Sequence, residues 1–415
     1  MTTPPTADGV SSRELARLRD LAMQSLPAYL EDLAFLVGID CGSYSKAGVD
    51  RVGRWTARFL ERLGAAVTIH ANAELGDTVV GTIQGTPGGP RLLLIGHLDT
   101  VFPDGTAAQR PYRVEGGRAH GPGVTDMKSG LLAGLYSLML LRALAESAHE
   151  RGGLLPYERV TFVANPDEEI GSPVSGPLIR DLARETDVCF VLECARANGD
   201  LVSARKGIVE LRLEIEGRAA HAGVEPEKGR SAILEAAHLV IALHALNGRW
   251  PGVTCNAGVI EGGTRPNIVA ERAVLQVDLR ARTREHLEAA EAEVRALAAH
   301  PTLPDVRVTV AEINRHWPME RLPRSARLIT HAQALAGRLG FEVQDAATGG
   351  AGDANTTAGL GVPTLDGLGP IGGNDHAPTE YLELDSVVPR TTLLAALMLA
   401  TGRDAEVAAW RGVDS

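Results

Sequence analysis

The run Leu92-Leu93-Leu94-Ile95, followed by Gly96-His97-Leu98-Asp99-Thr100, constrains this chain more than any other stretch. Four consecutive apolar residues suit an inner strand of a parallel sheet, where burial on both faces replaces alternation with continuity. Gly96 permits a sharp turn. His97 and Asp99 then fall at the strand's carboxyl end, where open α/β sheets collect their ligands. Two apart on an extended chain, they project to one side, as a metal-binding imidazole and the carboxylate that orients it would. Alone, such a pair is more often a turn with a local hydrogen bond. Its weight comes from repetition.

The same chemistry recurs at four further places. Val160-Thr161-Phe162-Val163-Ala164 ends in Asn165-Pro166-Asp167-Glu168-Glu169, and adjacent acids there repel one another unless a cation sits among them. Val188-Cys189-Phe190-Val191-Leu192 ends at Glu193, and an acid closing a core strand is uncommon without a partner. Gly121-Pro122-Gly123-Val124-Thr125 puts Asp126 in a glycine-rich turn before a long helix, where the bland reading is a helix cap by Asp126 or Ser129. Gly372-Gly373-Asn374-Asp375-His376 sets a histidine in a late loop. Two imidazoles and several monodentate acids at one sheet edge make the inventory of a two-metal hydrolytic site, with one carboxylate bridging ions about 3.5–4 Å apart. Glu168 and Glu169, as neighbours on an extended chain, would point to opposite sides, one toward metal and one toward substrate as a general base.

Periodicity fills in the rest. Helical spacing fits residues 12–37, 49–63, 129–145, 174–184, 325–339 and 386–401; strands fit 66–70, 78–83, 159–164 and 187–192. Strands alternating with helices predict an α/β fold, a mainly parallel sheet with helices on both faces. At Gly207 the rhythm changes to strand 208–215, helix 231–246, strands 252–260 and 272–280, helix 283–299 and strand 305–310. That βαββαβ order is a ferredoxin-like α+β unit with an antiparallel sheet. The expected organisation is therefore residues 1–206 and 317–415 in one domain, with 207–316 inserted and hinges near 205–207 and 315–318.

A length of 415 residues allows two domains, and a net charge of −11 argues against nucleic acid or an anionic membrane as partner. Residues 1–10 lack the features of a signal peptide, and the most apolar run, 131–141, falls short of the roughly 20 residues that span a bilayer; the expectation is a cytoplasmic protein. The 4 cysteines show no framework spacing and read as reduced, buried thiols. Gly367-Leu368-Gly369-Pro370-Ile371-Gly372 satisfies GxGxxG but precedes a loop, so it does not read as a dinucleotide site. His238 and His244 read as ordinary helix residues. His70, His120, His149, His286, His300, His316 and His331 lack acid-rich settings.

The strings GHLDT, GPGVTDMKSG, NPDEEIGS, VLE and DHAP, in that order, resemble the di-zinc aminoacylase/carboxypeptidase family of metallopeptidases. That family includes glutamate carboxypeptidase, the nearest in pattern, acetylornithine deacetylase and succinyl-diaminopimelate desuccinylase. The resemblance implies two Zn²⁺, with Co²⁺ or Mn²⁺ also suited to such ligands. His97 and Glu193 would hold one ion, Glu169 and His376 the other, and Asp126 both. It further implies that Asp99 orients His97 and that Glu168 is the general base. In the insert, which would serve as lid and homodimer interface, His221 of Gly217-Arg218-Ala219-Ala220-His221-Ala222-Gly223 matches the histidine that polarises the substrate carbonyl. Asn267 and Arg280 match residues that grip the substrate carboxylate, a task suited to the planar arginine fork. Cys194 stands where many relatives have proline, which suggests sensitivity to oxidation. The implied reaction is hydrolysis of an amide bond to an amino acid with a free carboxylate, on a small molecule or short peptide. An N-acyl-amino-acid deacylase is the alternative, and a non-catalytic metal- and peptide-binding protein a remote one.

Overall fold

A computed structural model describes residues 9–147 and 155–410. Most of the 1–10 segment and His149 lie outside the described residues. One compact unit comprises Met1–Ser203, Arg321–Ala347 and Gly352–Ser415; the other comprises Ala204–Glu320 and Thr348–Ala351.

In chain order the elements are α1 (Ser12–Val37), α2 (Lys46–Arg62), β1 (Ala66–His70), β2 (Thr78–Gln84), β3 (Arg91–His97), α3 (Thr106–Gln109), β4 (Arg113–Glu115), β5 (Arg118–His120), α4 (Ser129–Ser147), β6 (Arg159–Asn165), α5 (Ser175–Ala183), β7 (Val188–Val191) and β8 (Leu201–Arg205). There follow β9 (Gly207–Glu216), α6 (Ala232–His244), β10 (Thr254–Gly262), β11 (Arg272–Ala281), α7 (Arg284–Ala299) and β12 (Arg307–His316). The chain finishes with α8 (Pro323–Leu339), β13 (Asp345–Thr348), α9 (Asp353–Ala358), β14 (Thr364–Leu365), β15 (Gly372–Gly373), β16 (Tyr381–Glu383), α10 (Val387–Arg403) and α11 (Ala405–Ala408).

The first unit is a mixed sheet of order β1-β2-β6-β3-β7-β14. Its centre, β6, β3, β7 and β14, is parallel, and β1 and β2 add antiparallel edge strands. The four-residue apolar run sits on β3, next to the middle of the sheet, and is wholly buried. Leu92 and Leu94 join Phe162 and Phe190 in a core shared with α1, α2, α4, α8 and α10. Leu93 and Ile95 alternate with them and face the opposite side of the sheet. Cutting Leu94 back to alanine would cost about 2–5 kcal/mol through lost contact and a residual cavity. Close packing also explains two glycines: a side chain at Gly81 would strike Leu60 of α2, and one at Gly134 would strike Leu192 and Phe162.

Two helical stretches, Val124–Ser147 and Leu384–Arg403, are long and apolar enough to cross a bilayer by length and composition, more than the 131–141 run suggests. Most of each is buried inside this unit, where α4 and α10 pack together. A small sheet of order β15-β16-β5-β4 has no counterpart in the sequence reading. Its strands are two or three residues long, too short to show alternation.

The second unit is a fully antiparallel sheet of order β10-β11-β9-β12. On β9, Val209, Leu211, Leu213 and Ile215 are buried against α6 and α7, while the intervening residues are partly exposed. This unit extends past the expected 207–316 insert at both ends and takes in Thr348–Ala351. Backbone pairing accounts for the difference: Arg205 and Met319 exchange hydrogen bonds of 3.0 and 3.1 Å, and Lys206 N–H donates to Thr348 O at 3.1 Å.

Candidate metal centre

β3 delivers His97 and, two residues on, Asp99; both side chains are about 1% exposed. Asp99 is a junction. Its carboxylate accepts the Ser43 hydroxyl at 2.7 Å and the amides of Glu168 and Glu169 at 3.2 Å each, and lies 3.3 Å from His97 Nδ1. His97 Nδ1 also lies 3.0 Å from the Asp99 carbonyl. With Nδ1 engaged there as donor, Nε2 is left as the free lone pair that a cation requires.

Nε2 of His97 faces Asp126 Oδ1 at 3.1 Å and Glu193 Oε1 at 3.6 Å. The other Asp126 oxygen, Oδ2, lies 3.1 Å from His376 Nε2, which is also 3.1 Å from Glu169 Oε2. Asp126 therefore presents one oxygen to each imidazole. It caps no helix: it belongs to the turn Val124–Lys128, with non-helical φ −112 and ψ 95, ahead of α4. Glu193 follows β7, and His376 sits in a turn at φ 62.

Glu168 and Glu169 correct one expectation. They lie on the single 3₁₀ turn Glu168–Ile170 rather than on extended chain. Asp99 gathers the amides at the start of that turn, which closes it.

The electrostatics follow from this crowding. Burial opposes charge on His97, but hydrogen bonds to Asp126 and Asp99 hold its imidazole well above the usual histidine range. His376 is raised to about 11 by Asp126 and Glu169. Burial works against ionised Asp126, yet His376 and His97 pull its carboxyl below the ordinary value. Burial raises Glu168 far above the usual carboxylate range, and the charges of Glu193, Asp353 and Glu169 add to it. Burial likewise raises Glu169.

In each of two groups, His97/Asp126/Glu193 and Asp126/Glu169/His376, the donor atoms lie within 4.8 Å of one another. Glu169 Oε1 is buried with no hydrogen-bond partner. A buried carboxylate oxygen left unpaired among like charges is costly, and a divalent cation held by imidazole and carboxylate would satisfy it. The donor set fits a pair of such ions sharing Asp126.

Several contributors escaped the sequence reading. Ser43 lies in the loop after α1, far from any motif. Asp353, 4% exposed, accepts Ser172 Oγ at 2.7 Å and Asn165 Nδ2–H at 2.9 Å. Burial raises its carboxyl to about 6. Its neighbour Gly352 is close enough that a Cβ there would lie 2.8 Å from Glu168 Oε1. Gly349, Gly350 and Gly352 ahead of Asp353 mark a turn in the sequence but single out no residue. Glu380, buried four residues after His376, has no such mark.

The second unit holds the other three candidates. His221 is exposed, and its Nδ1 accepts the Gly223 amide at 3.2 Å. Its loop pairs with the Asn267 loop through Ala222 N–H to Asn267 O at 3.0 Å. Arg280, on β11, spends Nε and Nη2 on Asp278 at 2.9 Å each, and Nη1 donates to Gly349 O at 3.0 Å. In the first unit, burial and the neighbouring acids Asp375 and Glu193 raise the Cys194 thiol well above its ordinary value.

Residues 93–400 match the model of peptidase family M20/M25/M40. The chain belongs to this family. Over 403 residues it is 32% identical to carboxypeptidase G2 of Pseudomonas sp. (strain RS-16), covering 94% of each chain. It is 26% identical over 323 residues to acetylornithine deacetylase of Edwardsiella ictaluri, covering 74% of this chain and 79% of the relative. Among solved structures, the aminopeptidase PepT of Bacillus cereus superposes with a TM-score of 0.75 at 22% identity, covering 91% of this chain and 99% of that one. That likeness speaks for the fold. Family membership makes the protein a metallopeptidase or amidohydrolase of the M20 type, and the paired donor groups are its candidate metal centre.

Proposed function

We propose that the protein is a di-zinc carboxypeptidase of the glutamate carboxypeptidase type, cleaving the amide that joins an acyl or peptidyl group to an amino acid with a free carboxylate. The observation that carries the metal reading is Asp126, whose two oxygens each stand 3.1 Å from a different imidazole. The carboxypeptidase reading is supported by 32% identity to carboxypeptidase G2 across nearly the full length of both chains.

His97 and Glu193 would hold one ion, Glu169 and His376 the other, and Asp126 both. Bound there, such ions polarise a carbonyl and lower the pKa of water. Asp99 fixes the tautomer and orientation of His97. Glu168 takes the proton of the attacking water and passes it to the departing amine. In the second unit, His221 would donate to the substrate carbonyl, and Asn267 and Arg280 would receive the terminal carboxylate. N-acyl-amino-acid deacylation is the second reading, supported by the acetylornithine deacetylase likeness.

The same reading includes a homodimer through the second unit. Ile233, Leu234 and Ile241 on α6 and Val259 and Ile260 on the edge strand β10 are exposed apolar residues, and an edge strand offers unpaired backbone groups. Four free cysteines accord with a reducing, cytoplasmic setting.

The test is metal analysis of purified protein beside a hydrolysis panel of folate-like, dipeptide and acylated amino-acid substrates, with and without chelator. Two zinc ions per chain, chelator-sensitive cleavage of folate-like or dipeptide substrates and loss of turnover in Glu168→Gln are expected. Preference for acylated amino acids would move the assignment to the deacylase. Undiminished turnover in Glu168→Gln would remove this mechanism. Sedimentation of the wild type against Ile241→Asp tests the dimer.

A further inference from the structure

Glu380 is an acid with no place in the mechanism above, and its side chain is 1% exposed. Its partners are backbone amides. Oε2 accepts the N–H of Gly123 at 2.9 Å, and Oε1 accepts those of Thr125 and Asp126 at 2.9 and 3.1 Å. The Val124–Lys128 turn departs from helical geometry at Asp126, so these N–H groups have no regular helical carbonyl to meet. Buried amides must find a partner, and one carboxylate takes all three.

The backbone of Glu380 serves the other side of the centre. Its N–H donates to Ala377 O at 3.1 Å, Ala377 N–H donates to Asn374 O at 3.0 Å, and the resulting turn contains His376. Its carbonyl lies 3.0 Å from His120 Nδ1 on β5. Tyr381, next in the chain, pairs with His120 in the small sheet. Glu380 is thus tied through its main chain to the turn bearing His376 and through its side chain to the turn bearing Asp126.

We propose that Glu380 is a positioning residue of the metal centre, setting the bridging Asp126 carboxylate against His376 by holding both turns at once. This role rests on the metal reading given above. It acts through the two side chains that meet the ions and touches no substrate.

The test loads Co²⁺ into wild type, Glu380→Gln, Glu380→Ala and, as a control for lost stability alone, Glu14→Gln, which breaks a remote ion pair with Arg403. Absorption spectra and chelator-competition titrations report the ion environment without reference to turnover. Loss of such an outer support typically costs about 10–100-fold in metal affinity. Glu380→Ala should fall in that range with an altered Co²⁺ spectrum. Glu380→Gln, whose amide oxygen can still accept from Thr125 and Asp126, should fall between it and wild type. Glu14→Gln should melt earlier with an unchanged spectrum. If Glu380→Ala does not fold, the isosteric Gln variant decides. Wild-type spectrum and affinity in folded Glu380→Gln would overturn the positioning role alone. Failure of the wild type to take up two Co²⁺ would overturn the metal reading and this role with it.

Discussion

Ser43 Oγ donates to Asp99 Oδ2 across 2.7 Å, fastening the loop after α1 to the carboxylate that stands 3.3 Å from His97 Nδ1. The bond is buried, and the same carboxylate holds the amides of Glu168 and Glu169. Ser43→Ala removes one donor from a buried anion, at a cost of about 1–3 kcal/mol. The variant should melt several degrees lower and bind metal more weakly, while Ser43→Thr should keep most of both. Thermal melts with and without added metal check this; an alanine variant identical to wild type in both would show the bond to be idle.

Gly352 gives a different kind of test. Its φ of −168 is extended backbone open to any residue, so the demand is for space: an added Cβ would lie 2.8 Å from Glu168 Oε1. Gly352→Ala should displace Glu168, the proposed general base, and lower kcat by about a hundredfold, as small misplacements do. The melting temperature should hardly move. Steady-state kinetics beside a melt separates the two, and an unchanged kcat would show that Glu168 has room to shift.

Acid should loosen the packing of α1, α8, α10 and α11 before it affects the sheet. Burial opposes ionisation of Glu14, but Arg403 and Ser11 bring its carboxyl down to about 2; burial likewise opposes Asp404, which Arg327 and His331 bring to about 2. A folded pKa below the unfolded one contributes stability above the unfolded value and loses it as pH falls. The loss therefore spans roughly pH 4.5 down to 2. Glu14→Gln should be less stable than wild type at pH 7 and nearly equal to it at pH 2. Urea unfolding at several pH values checks the crossover.

Stripping metal should destabilise the first unit as well as stop turnover. A ligand bound only by the folded state adds about 4 kcal/mol when present at a thousand times its dissociation constant. Chelator should lower the melting temperature, and restored zinc should raise it in proportion to the logarithm of its concentration. A melt insensitive to zinc would mean that the paired donor groups do not bind it at all.

Those donor groups were legible because their chemistry is local. His97, Asp126, Glu169, Glu193 and His376 each close a strand or a glycine-rich turn, and the structure brings all five together. The alternation on β9 announced the antiparallel unit in the same way. What stayed hidden depends on contacts distant in sequence. Ser43 is 56 residues from Asp99, and Asp353 is 188 from Asn165. Glu380 lies 254 residues from the Asp126 amide, and nothing near it in the chain distinguishes it from a solvated acid. The 3₁₀ turn at Glu168 was misread as extended because its cap, Asp99, comes from another strand. The border of the second unit moved for a similar reason, through the pairing of Arg205 with Met319.

Because His376 and Glu380 follow all the other candidate donors in the chain, order of synthesis bears on how the proposed pair of ions would be acquired. A polypeptide leaving the ribosome presents its amino-terminal portion first, so His97, Asp126, Glu169 and Glu193 emerge while the partner imidazole is still unmade. A nascent chain offers three donors for one ion and an incomplete seat for the other. Completion of the pair would wait until His376 has been made.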